Sequence, residues 1–193
     1  MPANPERRTQ ILDAAIDILA DTGVGGVTHR QVDQRAGLPP GTTSNYFRTR
    51  LALLEGAAGH VAELHWRRVA QLQKAIGAGQ TQEGVKALMA RMLADPDEQA
   101  RRGHIARFEL FLEGTRRPEL RPALDQIQSA AVKSAGLILQ AGGFDPSADQ
   151  MEELSRLLNG VAFSNITIPA DWPAGADPAD FIDRLLRAVL GAP

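Results

Sequence analysis

The chain has 193 residues, 44% hydrophobic and 23% charged, which suits one or two small domains with an apolar core. It has no cysteine, which excludes disulfides, thiolate nucleophiles and Cys-ligated zinc, and no apolar run approaches the roughly 20 residues that cross a bilayer. The net charge is −2, yet residues 28–50 carry four arginines against the single acid Asp33, a distribution that is compatible with a DNA-binding surface on an otherwise acidic protein.

Apolar residues recur at helical spacing near the N-terminus and predict three short helices. The stripe at residues 11–19 forms the first helix, which ends before a run of glycines. The second helix covers residues 28–35, with Thr28 as its N-cap. Pro39 and Pro40 predict the start of a third helix that runs to about Tyr46, because proline fits the first helical turn.

Glycines and prolines divide the rest of the chain into further helical segments, and strand signals are nearly absent. We therefore predict an all-α fold of about nine helices. The predicted helices after the first three cover approximately residues 49–76, 82–94, 98–115, 119–140, 147–166 and 179–190. A polar loop that contains Pro169, Pro173 and Gly175 precedes the last of them.

The second and third helices, joined by Ala36-Gly37-Leu38, have the arrangement of a helix-turn-helix. A third helix of this length fits the major groove and presents its N-terminal residues to base edges. Taken singly, each residue has a purely structural interpretation: Thr28 as an N-cap, Pro39-Pro40 as a helix start, Tyr46 as part of the core. The arrangement of three short helices within about 45 residues, in contrast, is typical of a DNA-binding domain.

Several segments of this N-terminal region together resemble the TetR family of helix-turn-helix regulators. They are ILDAA at 11–15, Gly23, VTHRQV at 27–32, AGLPPGT at 36–42 and YFRTRLALL at 46–54. The resemblance spans residues 7–54, about a quarter of the chain. It implies an N-terminal three-helix DNA-binding domain at residues 1–50 and a C-terminal helical dimerisation and ligand-binding domain at residues 51–193.

The resemblance also implies which residues contact operator DNA. Thr28 and Tyr46 would bind phosphate, Arg30 would reach phosphate or a base, and Arg50 would replace the family's usual phosphate-binding lysine. The residues expected to face the groove are Pro39, Pro40, Thr42, Thr43 and Asn45. A threonine methyl packs on thymine and asparagine reads adenine. Ser44 departs from the family, which often has a phosphate-binding tyrosine there, and its shorter side chain would lose this contact.

In the family the C-terminal body dimerises. Apolar stripes on the last two predicted helices suit a four-helix interface between two copies, as readers of paired half-sites require. The expected interface residues are Leu154, Leu157, Leu158, Val161, Phe181, Leu185 and Val189. The alternative is that both stripes belong to the core of a single chain.

The body of the family also usually holds a small-molecule pocket, whose occupation releases DNA. Candidate lining residues combine apolar surface with a few polar anchors. They are Phe108, Phe111, Asn159, Phe163, Asn165 and Trp172, with Arg107 and Glu109 flanking the first. The alternative interpretation places the aromatic residues in the core and the charged ones on exposed helix surfaces.

We therefore predict a cytoplasmic transcriptional regulator, a repressor released from a palindromic operator by a small apolar or amphipathic ligand. We expect homodimers, double-stranded operator DNA as a partner, no membrane association and no cofactor. No catalytic or metal-binding residues are predicted, because the chain has no GxSxG, phosphate-loop or HExxH motif. The alternative function is a helix-turn-helix dimer without ligand control, either a DNA-organising protein or a protein-interaction module.

Overall fold

The computed structural model describes residues 4–76, 81–94, 97–168 and 177–191, which form nine α-helices and no strand. The predicted all-α fold class is confirmed. The helices are α1 Pro5–Thr22, α2 His29–Arg35, α3 Thr42–Tyr46, α4 Arg50–Ile76, α5 Gln82–Ala94, α6 Glu98–Arg116, α7 Arg121–Ala141, α8 Ala148–Thr167 and α9 Pro178–Leu190. Among these described residues, no helix is long and apolar enough to span a membrane. Trp172 and the predicted loop at Pro169, Pro173 and Gly175 lie outside the described residues.

Side-chain caps fix several helix starts at the predicted positions. Thr28 is the N-cap of α2, where its hydroxyl accepts the N–H of Gln31. Ser147 and Gln150 form a capping box at the start of α8, each side chain bonding to the backbone of the other. These caps satisfy backbone donors that a helix terminus otherwise leaves unpaired.

The third helix begins later than the sequence predicts. Pro39 and Pro40 lie in the preceding turn, and the residue before α3 is Gly41 with a φ of 87°. This left-handed conformation interrupts the helix and suits glycine, which has no Cβ. The prediction that the prolines form the first helical turn is therefore wrong.

The first of two compact units comprises Met1–Leu64 and Arg101–Gln128. Its core is formed by apolar faces of α1, α4, α6 and α7, among them the fully buried Ile11, Leu19, Leu54 and Leu110. Val32 of α2 is part of this core, and so is Phe47, which directly follows α3. The predicted functional boundary at residue 50 stays a prediction.

The second unit comprises His65–Ala100 and Ser129–Pro193. Helices α5, α8 and α9 contribute most of its buried apolar side chains, and α7 adds Ile138 and Leu139. The apolar stripe of α9 recurs at helical spacing and is buried at Ile182, Leu185, Leu186 and Val189. The last helix is therefore an integral part of this core.

Candidate DNA-binding interface

The buried carboxylate of Asp33 fixes the start of α3. Its Oδ2 accepts the N–H of Gly41 at 2.7 Å, and its Oδ1 accepts the N–H of Thr43 at 2.7 Å and the Thr43 hydroxyl at 2.6 Å. Asp33 is 4% exposed and Thr43 is fully buried. Short bonds to a charged acceptor in a buried setting are strong, so α2 and α3 are held as one unit.

The outer surface of the turn and α3 carries most of the residues expected to face DNA. Pro39, Pro40 and Asn45 are exposed, and Thr42 is half-buried. The Thr42 hydroxyl donates to the Pro39 carbonyl at 2.6 Å. Thr43 departs from the expectation, because its hydroxyl serves Asp33 in the interior instead of pointing outward.

The expected phosphate contacts at Thr28, Arg30 and Tyr46 have different local surroundings. Thr28 and Arg30 are exposed at the start of α2, while Tyr46 is half-buried at the end of α3. The Tyr46 hydroxyl accepts the N–H of Asn4 at 3.3 Å, a bond that does not use its own proton. A phenol in this state still has an O–H to donate to a phosphate oxygen.

Arg50 has a structural role that the sequence did not indicate. Its Nε donates to the Val27 carbonyl at 2.9 Å, and its Nη2 donates to the Val24 carbonyl at 2.6 Å. These bonds attach the first residue of α4 to the segment just before α2. A guanidinium has five N–H donors, so a phosphate contact remains compatible with this geometry.

Phe47 and His29 anchor the chain directly after α3. Phe47 is 6% exposed, and a Cβ added to Gly56 of α4 would lie 2.5 Å from its ring. The Nε2 of His29 donates to the Phe47 carbonyl at 2.6 Å, which assigns the proton to that ring nitrogen because a carbonyl only accepts. The α3–α4 connection is thereby held against α2 and α4.

A cleft of about 390 Å³ lies beside Phe47 in the same unit. Its lining residues are Arg8, Phe47, Ala52, Glu55, Gly56, Gly59, His60, Glu63 and Gln126. His60 is 2% exposed, with its ring nitrogens 2.6 Å from an Asp13 oxygen and 3.1 Å from a Glu63 oxygen. Of the residues expected to bind an effector, those that the structure describes do not line this cleft.

Helix α6 is joined to the N-terminal helices by charged side chains. Arg102 donates from Nε to Asp17 and pairs through Nη2 with Asp21, both at 2.8 Å. Asp21 also binds Arg35 of α2, and hydrogen bonds from Arg35 and then Arg102 hold the pKa of Asp21 below its usual value. Further along α6, Glu109 accepts the N–H of Val24 at 3.2 Å.

The residues expected to bind an effector are distributed between the two units. Phe108 and Phe111 are half-buried on α6 in the first unit, and Phe111 packs against its core. Asn159, Phe163 and Asn165 lie on α8 in the second unit. The Asn165 Nδ2 donates to the Leu93 carbonyl near the end of α5 at 3.0 Å, so this amide has a partner within the chain.

The residues expected at a dimer interface divide into buried and exposed groups. Leu154 is fully buried in the second unit, where Leu185 and Val189 are also buried and Leu158 and Phe181 pack at the edge. Leu157 is 43% exposed and Val161 is half-buried. The two apolar stripes therefore belong in part to the core of a single chain. Of the residues expected at the interface, Leu157 has the most exposed side chain.

Of the residues that position the helix-turn-helix, Asp33 and Arg102 are not among the predicted functional residues, and Glu109 is predicted only to flank the candidate pocket. Asp33 had one sequence signal, since it is the only acid in the basic segment 28–50. Arg102 and Glu109 contact residues more than 80 positions away, and no local pattern reveals such partners. In the described part of the chain, no three His, Asp or Glu side chains are grouped to hold a metal.

Comparisons with known proteins give consistent matches. A family model described as the C-terminal domain of tetracycline repressor-like proteins matches residues 80–192. The HTH-type transcriptional regulator BetI of Paraburkholderia xenovorans (strain LB400) is 30% identical over 117 residues, which cover 60% of this chain and 58% of BetI. This chain thus spans less than two thirds of the length of the curated relatives it matches first, between 37% and 58%.

Solved structures match over nearly the whole chain. A TetR-family member from Streptomyces coelicolor A3 has a TM-score of 0.68 and 26% identity, covering 94% of this chain and 98% of that one. The multidrug binding protein EbrR complexed with ethidium also has a TM-score of 0.68 and 26% identity, covering 95% and 99%.

Proposed function

We propose that this chain, which belongs to the TetR family of helix-turn-helix transcriptional regulators, is a homodimeric repressor that leaves its operator when a small molecule binds. The observation that carries the proposal is the Asp33 carboxylate, which holds Gly41 and Thr43 and so presents an exposed, rigid surface around α3. Recognition of bases requires side chains fixed on a rigid element. Residues 1–50 would form the DNA-binding domain and 51–193 the body.

Direct readout is assigned to the exposed surface of the turn and α3. Asn45 is exposed in the last turn of α3, where its amide is free to match the donor and acceptor pattern of adenine. Pro39, Pro40 and Thr42 supply apolar contacts for thymine methyl groups. Thr43 is left out of this surface because it is buried.

Contacts to phosphate are assigned to Thr28, Arg30, Tyr46 and Arg50. They belong to the start of α2, the end of α3 and the start of α4. Such contacts fix the register of a protein on the duplex and make its affinity depend on salt. Arg50 would combine this role with its bonds to the Val24 and Val27 carbonyls.

Control by a ligand is supported by the links between α6 and the N-terminal helices. A shift of α6 would act on α1 through Arg102 and on the α1–α2 connection through Glu109. These contacts are a physical route by which binding beside α6 changes the position of α2 and α3. The ethidium complex of EbrR supports an apolar or amphipathic effector for this chain as well.

Dimerisation is assigned to exposed apolar surface on α8, with Leu157 as its central residue. A two-fold dimer reads a palindromic operator, because each copy contacts one half-site. We also propose a non-enzymatic role in the cytoplasm, which the similarity to transcriptional regulators supports.

Titration of the full chain against DNA from its own upstream intergenic region tests this function. We expect saturable binding that survives competitor DNA and weakens between low and high salt, because phosphate contacts release counterions. A scrambled duplex of the same composition is the control. Equal affinity for both duplexes would contradict a specific operator. Specific binding that no small molecule weakens would favour the helix-turn-helix dimer without ligand control.

A further inference from the structure

Arg107 of α6 is a buried cation with one edge of its guanidinium unpaired. The residue is 7% exposed, and its buried Nε and Nη2 atoms have no hydrogen-bond partner among the residues that the structure describes. These two nitrogens share one edge of the guanidinium, where parallel N–H bonds match two oxygens of a carboxylate or phosphate. Buried donors of a charged group that lack a partner are unfavourable for folding, so this edge of Arg107 destabilises the chain unless a ligand pairs with it.

The acidic side chains nearest to Arg107 along α6 are engaged elsewhere. Glu109 accepts the N–H of Val24, and Glu113 pairs with Arg116 and Arg117. Burial lowers the pKa of Arg107 to about 10, because loss of hydration disfavours the charged form. The guanidinium therefore remains a cation at neutral pH, available to an anion from outside the chain.

The Phe108 ring orients the guanidinium, and the surface of α6 one turn before Arg107 is open. Its Cζ lies 4.7 Å from the centroid of the Phe108 ring, so the ring covers one face of the cation. A side chain on a helix extends toward the N-terminus, which directs Arg107 toward Gly103 one turn earlier. A Cβ added to Gly103 would meet no atom within 4 Å, so the surface of α6 is open at Gly103 itself.

We infer that Arg107 anchors a binding site for the anionic group of an effector, a carboxylate or a phosphate held side-on by Nε and Nη2. The half-buried Phe108 and Phe111 on the same helix suit an apolar tail, so the ligand class is an amphipathic anion. This class is opposite in charge to ethidium, a cation. The regulatory role of the ligand rests on the proposed function, whereas anion binding itself does not.

Thermal unfolding of the full chain with octanoate, octyl phosphate, octanol or octyltrimethylammonium tests the inference, since these probes share a tail and differ in head group. We expect millimolar octanoate or octyl phosphate to raise the midpoint by about 2–5 °C, and the uncharged and cationic probes to have no such effect. The anion that raises the midpoint more identifies whether the site prefers a carboxylate or a phosphate. No shift with either anion, or an equal shift with octanol, overturns the inference.

Substitutions locate the site. Arg107→Met should abolish the anion shift and Arg107→Lys should reduce it, because lysine has no two-pronged edge. Arg101→Met, which removes an exposed charge from the same helix, should leave the shift intact. Without ligand, Arg107→Met should unfold at a temperature no lower than that of the parent chain, since it removes an uncompensated charge. A lower midpoint, or an anion shift retained in this variant, overturns the inference.

DNA binding measured on the same preparations separates the two proposals. Anion shifts without specific DNA binding would support the Arg107 site and contradict the proposed regulator. Specific DNA binding without anion shifts would support the regulator and overturn the Arg107 site.

Discussion

Asp33 Oδ1 accepts two hydrogen bonds from Thr43, one from the backbone N–H at 2.7 Å and one from the hydroxyl at 2.6 Å. The two residues are ten positions apart and belong to α2 and α3. Because both are buried, the carboxylate depends on these donors in place of water. The angle between the two helices is therefore set by a specific polar contact as well as by apolar packing.

Thr43→Val should destabilise the protein by about 1.5–3 kcal/mol, because it removes a buried donor from a charged acceptor without changing side-chain volume much. Urea denaturation measures the change. Thr9→Val, at an exposed site on α1, is the matched control and should lie within about 0.5 kcal/mol of the parent chain. Equal stability of both variants would mean that the hydrogen bond from the Thr43 hydroxyl to Asp33 contributes nothing to stability.

Asn45→Ala should alter the base preference at one operator position and cost about 1–3 kcal/mol of binding free energy there. Thr28→Ala is the comparison, since loss of a phosphate contact weakens binding to all sequences alike. Selection from a randomised DNA library followed by titration measures both effects. An unchanged sequence preference for Asn45→Ala would remove this residue from the base-reading surface.

The sequence predicts helix positions well because capping and periodicity are local. Thr28 and Ser147 start α2 and α8 where expected, and Gln82–Ala94 is a helix with the predicted ends. The orientation of the side chains depends instead on tertiary contacts. Thr43 and Asp33 are ten positions apart, and only the folded chain shows that the threonine hydroxyl points inward.

The structural role of Arg50 and the start of α3 also depend on the folded chain and could not be predicted from local sequence. The family resemblance predicts a phosphate contact for Arg50, whereas its hydrogen bonds to the Val24 and Val27 carbonyls have no sequence signature. The left-handed Gly41 separates the prolines from the helix, and helix propensity alone does not indicate that turn.

Arg50→Ala should weaken binding to all DNA sequences alike and reduce the slope of log affinity against log salt by about 0.9, the value for one phosphate contact. It should also lower the free energy of unfolding by about 1–3 kcal/mol, since two backbone carbonyls lose a charged donor. Arg48→Ala removes an exposed charge nearby and serves as the control for stability. Lower stability with an unchanged salt slope would make Arg50 purely structural.

Acidification should destabilise the protein through Asp21 and Asp183. Hydrogen bonds from Arg35 and Arg102 lower the pKa of Asp21, and those from Arg187 and Lys86 lower the pKa of Asp183. A carboxyl whose pKa is lower in the folded state contributes stability above its unfolded value, and this contribution is lost as pH falls through the folded value. The unfolding midpoint should therefore decline below about pH 4.

Asp21→Asn and Asp183→Asn should each be less stable than the parent chain at pH 7 and should show a smaller decline in acid. Thermal unfolding from pH 7 to pH 2.5 measures both properties. Asp125→Asn, an exposed substitution on α7, is the control and should follow the parent curve. Parallel curves for all variants would show that these ion pairs do not couple folding to protons.

Substitution of two leucines on α8 should distinguish a contribution to dimerisation from a contribution to folding. Leu157 is 43% exposed and Leu154 is fully buried, although both lie on the predicted interface stripe. Leu157→Glu should shift the sedimentation of the protein from dimer to monomer, because it places a charge in an apolar interface. It should leave the unfolding midpoint of the monomer unchanged. Leu154→Ala should instead cost about 2–5 kcal/mol of folding free energy through a cavity in the core. A dimer that withstands Leu157→Glu would move the interface away from this face of α8.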